Sequence, residues 1–143
     1  MSTLQMERTF AAPAQRVFDA FTSEEVIRRW WHPDPDWDTP EVLVDLRIGG
    51  TVRVVMRDPQ ADVRYGGGGE YVEIDPPHRL AFTWTWDDDR EHVRQLIEID
   101  FKETYGVTTM RFTHNDLWDE DAVASHEEGW TGAFDNLAGV VEG

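Results

Sequence analysis

The chain has 143 residues, 40% of them hydrophobic, and carries a formal charge of −16 from 29 acidic against 13 basic side chains. That length holds one core and nothing reads as a dividing linker, so a single domain over residues 1–143 is expected, with seven tryptophans among the apolar side chains that build it. The acid excess repels nucleic-acid phosphates and anionic headgroups, and the absence of cysteine excludes disulfide staples, thiol catalysis and thiolate metal sites.

The first residues lack a basic start followed by an apolar run, and no segment approaches a membrane span, so a cytoplasmic protein without a membrane partner is expected. Twelve of the bases are arginine and only Lys102 is lysine, a bias that fits either a high-salt habitat or a GC-rich genome.

Leu4 to Phe10 alternates as a strand and stops at Ala11-Ala12-Pro13, where proline suits the first turn of a helix. Ala14, Val17, Phe18 and Phe21 then share one helical face. Ser23 ends that helix and caps the next, whose apolar side is Val26, Ile27 and Trp30. The segment 31–40 carries three prolines and two tryptophans and is expected to be loop.

From Glu41 the period changes to two. Val42, Val44 and Leu46; Val52, Val54 and Met56; Leu80, Phe82, Trp84 and Trp86; Val93, Gln95, Ile97, Ile99 and Phe101; and Thr108, Met110, Phe112 and His114 predict an antiparallel meander. Turns are placed at Gly49-Gly50, at the Gly66 to Gly69 run as a hairpin tip, at Asp75-Pro76-Pro77, at Asp87-Asp88-Asp89 and at Thr104-Tyr105-Gly106. The chain closes on a helix in which Ser125 and Glu128 are spaced as a capping box. Trp130, Phe134, Leu137 and Val141 form its stripe, His126 lies one turn before Trp130, and Gly132 and Gly139 are placed on the opposite side.

The order is α+β: a strand, two short helices, a meander and a long terminal helix. The local words Arg8-Thr9-Phe10-Ala11-Ala12-Pro13 with Val17-Phe18, Arg29-Trp30-Trp31, Ile48-Gly49-Gly50, Glu73 to Leu80 followed by Trp84, and His126-Glu127-Glu128-Gly129-Trp130 cover nearly the whole chain. In this order they resemble the START-like (SRPBCC, Bet v 1-like helix-grip) superfamily, in the branch named after the C-terminal domain of the Hsp90 ATPase activator. The resemblance implies a curved sheet gripping the last helix, with a cavity between them for a small apolar molecule. The co-chaperone behind the name has a further N-terminal domain for which 143 residues leave no room, so Hsp90 activation is not expected to carry over.

If the larger side chains of the sheet face the helix, Val54, Met56, Phe82, Trp84, Trp86, Ile97, Met110 and Phe112 are the candidate cavity wall, roofed by Trp130, Phe134 and Leu137. Gln95, His114 and His126 are the polar members that would orient a ligand. The same residues also suit plain core packing. His114 and Gln95 are the nearest to catalytic groups, for an enzyme of cyclase, dehydratase or hydrolase type, although no acid stands at a defined spacing from the imidazole and no nucleophile–base pair is evident. A third alternative is a chaperone-related interaction module, for which Trp31 and Trp37 offer an aromatic patch if they do not tuck under their loop.

Asp34, Asp36, Asp38 and Asp45 imitate the spacing of a calcium loop, but Thr39 stands at the glycine position and prolines interleave the acids. No metal and no cofactor are expected. A homodimer is compatible with the sequence, yet no heptad or unusually apolar free strand specifies one.

Overall fold

The computed structural model of the chain describes residues 1–88 and 93–143. Its elements run β1 Ser2–Phe10, α1 Ala14–Thr22, α2 Glu24–Trp30, β2 Asp38–Val44, β3 Thr51–Asp58, β4 Val63–Asp75, β5 Arg79–Trp86, β6 Gln95–Thr104, β7 Val107–Leu117 and α3 Glu120–Val141. Seven antiparallel strands join in the order β1-β7-β6-β5-β4-β3-β2, so β1 and β2 are the outer strands and the two short helices connect them. The long α3 packs back onto this sheet, which gives the helix-grip α+β architecture expected from the sequence.

The helices follow their stripes. Ala14, Val17, Phe18, Ala20 and Phe21 of α1 and Ile27 and Trp30 of α2 are buried. Ser23 Oγ accepts from the Val26 amide, as its position before Glu24 and Glu25 implies. Pro13 gives α1 no side-chain cap, and Glu103 of β6 instead accepts from the Ala14 amide at 2.7 Å, tying the helix start to the sheet.

Four sequence expectations need correction. The Gly66 to Gly69 run is not a hairpin tip but lies inside β4, a strand that carries no apolar alternation at these positions. A side chain on Gly67 would begin 2.6 Å from the Trp84 ring, and one on Gly69 would meet the Thr83 carbonyl. Bare backbone is what lets the Trp84 indole lie against the neighbouring strand. Second, α3 starts at Glu120, with the Asp119 carboxylate accepting from the Ala122 amide at 2.8 Å, so Ser125 is inside the helix rather than at its cap. Third, β2 begins at Asp38 and includes Pro40, which an outer strand tolerates beside a register irregularity. Fourth, β6 starts at Gln95, leaving Val93 outside it. Asp87 and Asp88 form a turn, while Asp89 lies outside the described residues.

Gly132, placed opposite the apolar stripe, is covered by the loop. Its missing Cβ would fall 1.9 Å from the Pro33 carbonyl oxygen, so this turn of α3 is the seat of the 31–40 loop. Asn136, one turn on, donates to the carbonyl of His32 at 3.0 Å and to that of Trp30 at 3.4 Å. Gly139, in contrast, has nothing within 4 Å of its Cβ position.

The two glycines therefore respond oppositely to the same change. Gly132→Ala must push the loop off α3 and should cost about 1–3 kcal/mol, as overpacking against backbone does. Gly139→Ala should be neutral or stabilise by up to about 1 kcal/mol through helix propensity. Urea unfolding of both variants checks this; equal effects would contradict the seating.

Candidate functional site

Pleating puts the expected wall residues on one face. Trp84 opposes Gln95, Phe82 opposes Ile97, Ile97 opposes His114, and Ile99 opposes Phe112 across β5, β6 and β7. Val54, Phe82, Trp84, Gln95, Ile97, Met110, Phe112 and His114 are buried, as are Trp130, Phe134 and Leu137 of α3. Met56, Trp86 and His126 are half-buried. The structure thus packs the predicted apolar set into one core, with Met56 and Trp86 at its margin.

The space expected as an open cavity is filled. Trp31, the residue that ends α2, inserts between the layers and is only 3% exposed. Its ring stacks on Trp30 at 5.3 Å and on Trp84 at 5.7 Å, and meets Trp130 at 5.3 Å and Phe82 at 6.2 Å. Trp130 in turn lies 4.6 Å from Phe112 and stacks on Phe134 at 5.4 Å. Two surface concavities lie elsewhere. One of about 450 Å³ runs between Pro13, Arg16, Val26, Arg29 and Val141; the other, about 270 Å³, lies beside Arg53, Tyr65 and Trp86.

The sequence left two placements open for the tryptophans of the 31–40 loop, an exposed patch or a tuck beneath the loop, and the structure has the second for Trp31. Trp31 is in the core, and Trp37 is half-buried, stacked on Tyr65 at 5.5 Å. A loop residue has no period to betray its burial. The loop is held by Thr39, whose hydroxyl donates to the Trp31 carbonyl at 2.7 Å while His32 Nδ1–H donates to the same hydroxyl oxygen at 2.8 Å.

The polar members form two tryptophan–histidine pairs. The Trp130 indole N–H donates to His114 Nδ1 at 3.1 Å, and His114 Nε2 lies 2.6 Å from the Gln95 side-chain oxygen. The Trp86 indole N–H donates to His126 Nε2 at 3.2 Å, while His126 Nδ1–H donates to the Ala122 carbonyl at 2.7 Å. The two imidazoles are 5.0 Å apart, edge to face, and the half-exposed Trp118 covers His126 on its other side at 5.5 Å. Burial, with the neighbouring His126 as the lesser cause, pushes His114 down to about 3, and burial also lowers His126 despite its bond to Ala122. Both rings are neutral at pH 7, and each has its basic nitrogen occupied by an indole N–H. That arrangement orients a group but makes His114 a poor general base.

Three buried polar atoms have no hydrogen-bond partner among the described residues: Tyr71 Oη, Trp84 Nε1 and Gln95 Nε2. Each sits on one of three successive strands, β4, β5 and β6. Tyr71 was missing from the sequence-predicted set because the glycine run hid its strand. Burial, and secondarily the charges of Asp45 and Glu24, raise its phenol far above the ordinary value. Among the described residues no group of three or more potential metal ligands comes together. Asp38 of the calcium-like series is instead paired with Arg57.

The lowered histidine sets a pH dependence. Between pH 6.5 and about 3 the unfolded chain protonates residue 114 and the folded one does not, so stability falls as pH drops through that window. The slope from this one group is at most about 1.4 kcal/mol per pH unit. Since carboxylates titrate over the same range, the effect is read as a difference: His114→Gln should lose stability less steeply than the parent between pH 6.5 and 4.5 in denaturant titrations. Parallel curves would show that residue 114 titrates alike in the folded and unfolded states.

Residues 11–142 match the family model described as Activator of Hsp90 ATPase homolog 1-like protein. Solved structures resemble the chain over its length. The crystal structure of a Chromobacterium violaceum protein is 23% identical with a TM-score of 0.88, covering 100% of this chain and 99% of the other. The AHSA1 protein from Silicibacter pomeroyi is 27% identical with a TM-score of 0.83, covering 96% of each chain. An AHSA1-like protein from Aeromonas hydrophila is 24% identical with a TM-score of 0.81, covering 99% of this chain and 92% of that one. Among curated proteins none matches the sequence. With the family model matched from the end of β1 to the end of α3, on a sheet that grips that last helix, this chain belongs to the Activator of Hsp90 ATPase homolog 1-like family.

Proposed function

We propose that the protein binds a small, largely apolar molecule between the sheet and α3, with the Gln95 side chain, itself set by His114, orienting it and the aromatic residues of β5, β7 and α3 as its walls. The observation that carries this reading is the set of unpaired polar atoms on the inner face. A buried donor without an acceptor costs roughly 1–3 kcal/mol, and a ligand that supplies the acceptor recovers that cost.

The ligand's place is the one Trp31 fills. The rings packed around it, Trp30, Phe82, Trp84 and Trp130, are carried by strands or helices, whereas Trp31 stands where α2 hands over to the loop. Swinging Trp31 out about its side-chain torsions would vacate an indole-sized slot between Trp84 and Trp130. The protein then exchanges one aromatic occupant for another. An enzymatic role is the weaker reading, because both imidazole lone pairs are engaged by indoles.

The reading demands a thermal and spectroscopic response. A bound ligand at a hundred times its Kd stabilises the fold by about 2.7 kcal/mol, and seven tryptophans report on it by fluorescence. A broad set of flat and aliphatic apolar compounds that moves neither the melting temperature nor the emission contradicts the proposal. Trp31→Ala should lower the stability of the free protein by about 3–5 kcal/mol and raise the affinity for any ligand found. A fall in affinity would make Trp31 a wall rather than a competitor.

A further inference from the structure

The polar chain on the inner face has a direction, and the direction selects the chemistry it can receive. An indole N–H only donates, so His114 Nδ1 accepts from Trp130 and the neutral ring carries its proton on Nε2. That N–H donates to the Gln95 oxygen. Turning the Gln95 amide over would set two N–H groups head to head at 2.6 Å, because a neutral imidazole has one acceptor nitrogen and Trp130 occupies it. The amide orientation is therefore fixed from outside, by a tryptophan two bonds away along the chain of hydrogen bonds.

Gln95 Nε2 consequently points away from His114 and meets no acceptor among the described residues. Directly across the ladder, on the same face of β5, the Trp84 N–H is buried and unmatched as well. The Trp84 indole, however, lies with its nitrogen-bearing edge against Gly67 of β4, on the far side of β5 from Gln95, so the Gln95 amide is the donor that an incoming oxygen meets. The nearest polar partners, His114 and Trp130, are uncharged, and among the described residues no cationic side chain is buried on this face. A carboxylate would have to leave water for donors that are only dipoles.

Resting on the binding reading above, we infer that this subsite takes a flat, uncharged ring compound that presents a carbonyl or ring-ester oxygen to the Gln95 side-chain amide, and that it rejects the same ring frame without an acceptor or with a carboxylate.

Three two-ring probes of similar size separate the alternatives: coumarin, with a ring carbonyl; naphthalene, with none; and 2-naphthoate, with a charge. Titration calorimetry on the full chain should show coumarin binding at least tenfold more tightly than either of the others. Gln95→Met, which keeps the side-chain length and removes the donor, should bring coumarin down to the level of naphthalene. A second readout needs no variant: the pair of side-chain amide proton resonances of Gln95 should move on adding coumarin and stay still with naphthalene. If coumarin and naphthalene bind equally and Gln95→Met changes neither, the acceptor rule is wrong while a binding site remains. The same follows if coumarin binds with the Gln95 resonances unmoved. If none of the three probes and none of the wider compound set binds, both readings fall together.

Discussion

The layers of this protein are held together by one indole. Trp31 touches α2, β5 and α3 at once, through rings whose pairs are each worth about 0.5–1.5 kcal/mol beyond the area they bury. Its backbone is pinned on both sides. Thr39 at the start of β2 takes its carbonyl, and the next residues are clasped by Asn136 and by the notch at Gly132. Position the loop differently and α3 loses its docking surface, the aromatic stack loses its centre, and the Trp130 indole no longer reaches His114.

That last link joins packing to polarity. His114 is fully buried on a largely apolar face, where phenylalanine would pack without desolvation cost. It is admissible only because a donor from α3 and an acceptor from β6 arrive at its two nitrogens together. A slip of α3 by one turn would leave both the indole and the imidazole unpaired, so the pair fixes the helix register more sharply than apolar contacts, which are non-directional, are able to.

How far the sequence could be read depended on whether a residue carried a period. The stripe of α1, the alternation of β3, β5, β6 and β7, and the roof of Trp130, Phe134 and Leu137 all obey one, and their shared face follows from it. β4 does not, because glycine has no side chain to alternate, and its inner-face Tyr71 went unseen with it. The start of α3 was missed because Ser125 and Glu128 match a capping box, whereas the helix is capped six residues earlier by Asp119 alone, with Glu120 and Asp121 in its first turn. The set of candidate site residues was legible, but the filling of their space by Trp31 was not, since a proline-rich loop shows no preference for either side of itself. The direction of the hydrogen-bond chain was likewise beyond sequence, because it depends on which nitrogen of one ring an indole from another element meets.

The charge excess has a local use that composition alone hides. Both outer strands present backbone groups that would otherwise pair with another chain. On β2 the Val44 amide donates to Glu24 at 2.8 Å, and Arg28 donates to the Pro40 carbonyl at 2.7 Å, so α2 covers that edge with one charge of each sign. At the end of β1 the Ala11 amide is taken by Glu142 at 2.9 Å, and Arg8 pairs with Asp135 of α3. A dimer made by strand pairing at β2 would have to break charge-assisted bonds to gain neutral ones, each worth roughly half as much. The exposed Leu43, Leu46 and Ile48 beside that edge are thus left without the hydrogen-bonding ladder that would make them an aggregation seam. Acidic side chains that repel phosphates at long range are, at contact range, what closes the sheet.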